Sequence, residues 1–180
     1  MNPIWKKHGL TTVVLVLLTA LPLLGQTGFD PERDVGLSAS VKPSAIPAAG
    51  SGELVIELKL PQGVHITNLD FGFFFVRPDL TEGVTWGEAV FPPGVDYQGE
   101  KVYRGLIPIS VPLALSVDLS PGTGLDLSGV VGYQICTETD PIFCTPPVER
   151  TFQASLNVAA GGVVASEAGT DVSGEELSIE

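Results

Sequence analysis

The chain of 180 residues is poor in basic side chains. It has 9 lysines and arginines against 21 aspartates and glutamates, which gives a formal net charge of −12. A surface that binds nucleic acid or anionic lipid needs clustered Lys and Arg to neutralise phosphates. The composition therefore excludes nucleic acid as a partner.

Histidine is scarcer still, since His8 and His65 are the two in the sequence. A zinc site built on the cysteines would need His65 and a carboxylate, at a spacing that matches no zinc pattern. A glycine motif that could cradle phosphates is absent, and a Cys–His nucleophile has little support. We therefore expect no metal and no bound cofactor.

Long amphipathic helical patterns are also missing, whereas 21 glycines and 15 prolines separate short apolar runs. This favours an all-β chain. Residues 54–60 alternate between apolar and polar side chains, and residues 125–135 and 152–158 keep their apolar side chains on one parity. Residues 101–117 read as an edge or bent strand, because prolines interrupt them. About six or seven such strands in about 110 residues predict an immunoglobulin-like antiparallel β-sandwich.

The N-terminus reads as an export signal. Lys6 and Lys7 precede an apolar run of about 15 residues, which is shorter than the ~20 that a membrane-spanning helix needs. We expect a cleaved signal at 1–25, a flexible tether at 26–51, the folded domain at 52–158 and a disordered acidic tail at 159–180. The predicted location is the periplasm or another extracytoplasmic compartment, with membrane contact only through an uncleaved signal.

The two cysteines of the chain, Cys136 and Cys144, lie in the stretch GYQICTETDPIFCTPP. Strands on either side of the polar loop would form a hairpin, and facing residues of antiparallel strands are close enough for a disulfide. As a stabiliser the bond would be weak, because closing a loop of about nine residues contributes only about 2.6 kcal/mol. Most lone disulfides of exported domains are nevertheless structural, so an inert bridge and an exchanging one both remain open.

The segment around the cysteines resembles the N-terminal periplasmic domain of the DsbD family of thiol:disulfide interchange proteins. The matching residues are Tyr133-Gln134, Cys136, Cys144 and Pro146-Pro147, and Glu149 follows one residue late. The stretches GVHI, GVTWGEAVFPPG and YQGEKVYRG resemble earlier parts of that domain. The loop between the cysteines is about two residues longer than in the family pattern.

The resemblance implies an immunoglobulin-like fold and a dithiol that passes electrons to disulfides of exported, thioredoxin-like proteins. Because no membrane and thioredoxin-like domains follow, we expect electrons to come from a separate membrane protein. Cys144 would form the mixed disulfide and Cys136 would resolve it. Tyr97 would cap the pair. The remaining expected neighbours of the cysteines are Asp96, His65, Tyr133 and Phe143.

The alternative is a structural, adhesive or ligand-binding sandwich with an inert disulfide. Trp86 and the phenylalanines at 71 and 73–75 could offer a sugar-stacking face, although aromatic residues in alternating strands usually belong to the core. The reduction potential of the disulfide would separate this alternative from an exchange domain.

Overall fold

A computed structural model of the chain describes residues 29–160. Twelve strands, a short helix α1 (Pro31–Asp34) and a 3₁₀ turn (Leu69–Phe71) make up the domain. The strands are β1 Gly36–Lys42, β2 Ala45–Pro47, β3 Ser51–Lys59, β4 Val64–Ile66, β5 Phe75–Pro78, β6 Val84–Trp86, β7 Val95–Tyr97, β8 Glu100–Val102, β9 Leu106–Leu115, β10 Gly124–Tyr133, β11 Ile135–Thr137 and β12 Val148–Ala159.

Two four-stranded sheets face each other. The first has the order β1-β3-β9-β6, and the second has the order β2-β12-β10-β5. The pairs are antiparallel apart from β2 and β12, which run parallel. The predicted immunoglobulin-like β-sandwich is confirmed, with this one parallel pair as an addition.

The core lies between the sheets and follows the alternation that the sequence predicted. Leu54, Ile56 and Leu58 of β3 are fully buried, as are Leu127 and Val131 of β10. On β12, Phe152, Leu156 and Val158 face the same core with half-buried Ala154, while Gln153, Ser155 and Asn157 are exposed. Period-two burial of this kind is what a strand with one face on the core requires.

The expected tether at 26–51 is different in the structure. Residues 36–42 form β1, which pairs with the whole length of β3, and residues 45–47 form β2 at the edge of the second sheet. Val41 and Ile46 belong to the hydrophobic core. Leu37, Ala39 and Val41 alternate with small and polar residues, as a strand requires. The many glycines, prolines and serines of this segment nevertheless led to its prediction as a tether. The predicted signal at 1–25 lies outside the described residues, as do residues 161–180 of the predicted tail.

Strand β9 is an inner strand, so the edge position expected for residues 101–117 is wrong. Its Ser110 N–H donates to Val90 O, on the side of β9 where β6 lies. Pro108 and Pro112 share the parity of Ser110, so their missing N–H groups face that same side. On that side of β9, β6 pairs with residues 113–115 alone. The two prolines therefore remove few backbone hydrogen bonds from the sheet.

Candidate functional site

The two cysteines form a disulfide across a short hairpin. Cys136 in β11 and Cys144 are an antiparallel bridge pair with Cα atoms 4.0 Å apart. The backbone ladder continues on both sides, because Thr137 N–H donates to Phe143 O at 2.9 Å and Thr145 N–H donates to Ile135 O at 2.8 Å. The strand register therefore brings the sulfurs together without displacing the backbone.

The loop between the cysteines is closed by the Thr137 side chain. Its hydroxyl donates toward Pro141 O at 2.9 Å and accepts from Phe143 N–H at 3.0 Å. At the other side of the bridge, Gln134 Nε2 donates to Thr145 O at 3.0 Å. These bonds hold the loop from inside and leave its outer face to solvent.

The two cysteines differ in exposure. Cys136 is 6% exposed, because it sits between the neighbouring strand β4 and the returning chain at Cys144. Cys144 is exposed, and buried Thr145 and two prolines follow it. A partner that approaches from solvent therefore meets Cys144 first.

Strand β4 places His65 beside the disulfide. His65 is the register partner of Cys136 in the β4–β11 pair. The imidazole is buried, and its Nδ1 lies 3.1 Å from Oε1 of Glu138. An ionised carboxylate can only accept, so Nδ1 carries the proton in this contact.

Strands β7 and β8 form a hairpin that brings Tyr97 to the same place. The turn is Gln98-Gly99, and both residues have positive φ, which is the geometry of the tight turns that two-residue hairpins prefer. The Tyr97 ring centroid lies 5.0 Å from that of His65. The Arg104 guanidinium also lies over the Tyr97 ring, 4.4 Å from its centroid.

A cavity of about 360 Å³ opens beside the disulfide. Both cysteines, His65 and Tyr97 line it. Phe71 and Ile142 also line it, with exposed fractions of 53% and 68%. The remaining lining residues are Thr67, Gln98, Glu100, Val102, Gln134 and Thr137. The site is thus a disulfide in the lining of a cavity that exposed apolar side chains also line.

The other expected neighbours of the cysteines, Asp96, Tyr133 and Phe143, do not line the cavity. Asp96 forms an ion pair with Lys101 at 2.9 Å and does not line the cavity. Tyr133 is fully buried, and its hydroxyl donates to Pro31 O at 2.8 Å. Phe143 is 45% exposed, next to Cys144 but outside the cavity lining.

Sequence reasoning missed several residues of the site, most notably Glu138 and Arg104. Glu138 follows Cys136 by two positions, so it must lie close to the bridge. The sequence position of Glu138 alone does not show which side chains its carboxylate contacts. Phe71 is considered from the sequence only as part of a possible sugar-stacking face, although Asn68 before it is a residue that commonly starts turns. The Asn68 side chain accepts from Asp70 N–H and starts the 3₁₀ turn that carries Phe71.

No group of three His, Cys, Asp or Glu residues that could hold a metal ion occurs in residues 29–160. In the same part of the chain, no helix has the length and apolar character that crossing a membrane requires.

The family model described as the N-terminal part of the thiol:disulfide interchange protein DsbD matches residues 37–156, about two thirds of the chain. No curated protein matches the sequence.

Three solved structures are similar at low identity. The reduced N-terminal domain of DsbD from Neisseria meningitidis is 17% identical, with a TM-score of 0.42 over 72% of this chain and 90% of that one. The N-terminal periplasmic domain of ScsB from Proteus mirabilis is 16% identical, with a TM-score of 0.36 over 72% and 49% of the two chains. A family 123 glycoside hydrolase from Clostridium perfringens is 8% identical, with a TM-score of 0.34 over 69% and 27%.

Proposed function

The chain belongs to the family of DsbD N-terminal domains, and from this membership we propose that it is an exported thiol:disulfide exchange domain of the protein-disulfide reductase type. Electrons pass through the pair Cys136 and Cys144. The observation that carries the proposal is the disulfide itself, which joins a buried and an exposed cysteine beside an open cavity.

The exchange takes place in two steps that conserve atoms and electrons. In the reduced domain, the Cys144 thiolate attacks one sulfur of a partner disulfide, whose S–S bond breaks as a mixed disulfide forms. The Cys136 thiolate then attacks Cys144 in that mixed disulfide, which restores the Cys136–Cys144 bond. The partner leaves with two electrons and, after taking up two protons, as a dithiol. No cofactor is needed, because the sulfur–sulfur bond stores both electrons.

The partners we propose are thioredoxin-like proteins outside the cytoplasm, with a separate membrane protein as electron donor. Family membership and the predicted export signal support this location. The exposed apolar side chains of Phe71, Ile142 and Phe143 surround the approach to Cys144 and suit a protein surface that docks there. The same proposal includes Tyr97 as a cap on the cysteines, and its support is that Tyr97 lines the cavity and packs against His65.

The reduction potential of the Cys136–Cys144 couple tests the proposal. Structural disulfides have potentials below about −300 mV, whereas exchange proteins lie between roughly −270 and −120 mV. We expect the domain to fall in the second range when it is equilibrated with glutathione redox buffers, and to be reduced by a thioredoxin-like protein within minutes. A potential below the range, together with no exchange, would leave a structural sandwich with an inert bridge.

A further inference from the structure

One carboxylate oxygen at the site, Oε1 of Glu138, contacts the side chains of both His65 and Arg104. Glu138 Oε1 lies 3.1 Å from His65 Nδ1 and 2.5 Å from Arg104 Nε. The Glu138 side chain is 19% exposed, and that of His65 is 9% exposed. The Glu138 backbone is fixed as well, since its N–H donates to Gly63 O at 2.8 Å. The carboxylate is therefore a fixed point that orients two side chains from different parts of the fold.

These two side chains both contact the ring of Tyr97. The imidazole of His65 packs against one part of the ring at 5.0 Å, and the Arg104 guanidinium lies over it at 4.4 Å. The hairpin that carries Tyr97 is a separate two-stranded sheet, so its backbone gains no ladder bonds from the sandwich sheets. Tyr103, the residue after β8, exchanges two backbone hydrogen bonds with Ile66 of β4. The ring of Tyr97 in the cavity lining is held in addition by side-chain contacts that converge on Glu138.

We infer that Glu138 is a positioning residue that holds Tyr97 in the cavity beside the disulfide by anchoring His65 and Arg104. This inference deepens the proposed function, because it names the group that controls access to the exchanging bridge. When the carboxylate is neutralised, both flanking side chains lose their common acceptor and Tyr97 spends a larger fraction of time away from the cavity. If closing is fast, the rate at which an external thiolate attacks the bridge rises in proportion to that open fraction.

The test uses dithiothreitol as the external reductant, so it does not depend on any protein partner. One dithiothreitol thiolate attacks the bridge, a cysteine leaves as thiolate, and the second dithiothreitol thiol completes the reduction. We expect Glu138→Gln to raise the second-order rate of reduction on the order of threefold to tenfold, the size that one cation–π contact and one ion pair supply. Arg104→Gln should act in the same direction and serves as the second variant should Glu138→Gln fold poorly.

The chain offers a matched control. Arg77 Nη2 lies 3.3 Å from Glu149 Oε2, and the Arg77 guanidinium lies 5.2 Å from the Phe75 centroid. This set repeats the carboxylate, guanidinium and ring of the site, and none of its three residues lines the cavity. Glu149→Gln should leave the rate of reduction unchanged.

Two further measurements separate anchoring of Tyr97 from a direct effect of the Glu138 charge on the sulfurs. In a Tyr97→Ala background, Glu138→Gln should change the rate by less than about twofold, because the residue that it positions is gone. The oxidised fraction at a fixed glutathione ratio should stay the same, since opening speeds both directions equally. The inference would be overturned if the rate effects of Tyr97→Ala and Glu138→Gln multiplied in the double variant, or if Glu138→Gln shifted the oxidised fraction. It would also be overturned if Glu138→Gln were reduced at the same rate as Glu149→Gln. If the rates of reduction by dithiothreitol change as expected, the role of Glu138 holds even when the domain exchanges no disulfide with thioredoxin-like proteins. The inference and the proposed function can therefore fail separately.

Discussion

The two sulfur-bearing residues have different surroundings, and exchange chemistry makes use of such a difference. Cys136 is buried within the small β4–β11 sheet, whereas Cys144 is exposed on the returning chain. The exposed thiol is the one that a folded partner can reach. The buried thiol is held close to it by the ladder, at the distance that resolution of a mixed disulfide requires.

Single cysteine variants should therefore behave differently. Cys136→Ser should accumulate a covalent complex with a thioredoxin-like partner through Cys144, because the resolving thiol is missing. Cys144→Ser should accumulate little or none. Non-reducing electrophoresis followed by mass analysis of the linked peptide measures both, and a reversed pattern would exchange the two roles while leaving the redox function in place.

Which residues meet at the site could be predicted only in part. The cysteine pair follows from spacing and loop chemistry, and the resemblance pointed to Tyr97, which the structure places at the cavity with His65. The ion pair of Arg104 with Glu138 joins residues 34 positions apart. Such a contact depends on how β4, β8 and β11 assemble, and no local pattern encodes it. Asp96 was assigned to the site through its neighbour Tyr97, but alternate residues of a strand point to opposite faces.

At the scale of elements, the strand that leads to Cys136 is tied to the first residues of the described chain. Tyr133 ends β10, and its hydroxyl reaches the carbonyl of Pro31 at the start of α1. Arg150 Nη1 adds a bond to Val35 O and contacts the same hydroxyl at 3.5 Å. Burial raises the pKa of Tyr133, because the desolvated phenolate is disfavoured, and this outweighs the opposing hydrogen bond from Arg150.

Tyr133→Phe should destabilise the domain by about 1 kcal/mol at pH 7, the net value of one hydrogen bond. Because the folded-state pKa is raised, the native tyrosine binds its proton more tightly than the unfolded chain does. Its contribution is complete below the unfolded pKa of about 10 and is lost as the pH rises through the folded value. The stability difference between wild type and variant should therefore shrink above about pH 10. Urea unfolding at pH 7 and at about pH 10.5 measures it, and a constant difference would contradict the assignment.

Long strands with clean alternation were predictable, and short ones were not. Strands β3, β10 and β12 show period-two burial over many residues, so their pattern stands out against the turns. Strands β4 and β11 are three residues each, too short for any periodicity, and they owe their conformation to pairing with each other. These are the elements that hold the site, which explains why the site geometry was harder to foresee than the sandwich.

At the scale of the whole molecule, the segment expected to be a tether closes both sheets. Strand β1 covers the edge of β3, and β2 covers the edge of β12. Between them they contribute Val41 and Ile46 to the core, and the preceding Val35 is also fully buried. The sandwich is therefore complete only when residues 35–47 are in place.

Chains that begin at residue 29 and at residue 48 should differ sharply in stability. The first keeps β1 and β2 and should unfold cooperatively. The second loses three buried aliphatic side chains at about 2 kcal/mol each, in addition to the ladders of β1 with β3 and of β2 with β12. This is comparable with the 5–15 kcal/mol that stabilises an ordinary domain, so we expect little folded protein. Circular dichroism during thermal unfolding compares the two, and equal midpoints would restore the interpretation as a tether.

The parallel pairing of β2 with β12 also has a consequence for the order in which the chain can fold. Ala45 pairs with Asn157, so the second sheet joins a segment near the beginning of the domain to its last strand. Strand β12 is moreover an inner strand of that sheet, with β10 on its other side. Contacts of such long sequence separation form late, because a large loop must close before they contribute. A ribosome that has not yet released residue 159 thus carries a chain that cannot complete its sandwich, because the inner strand of the second sheet is still missing.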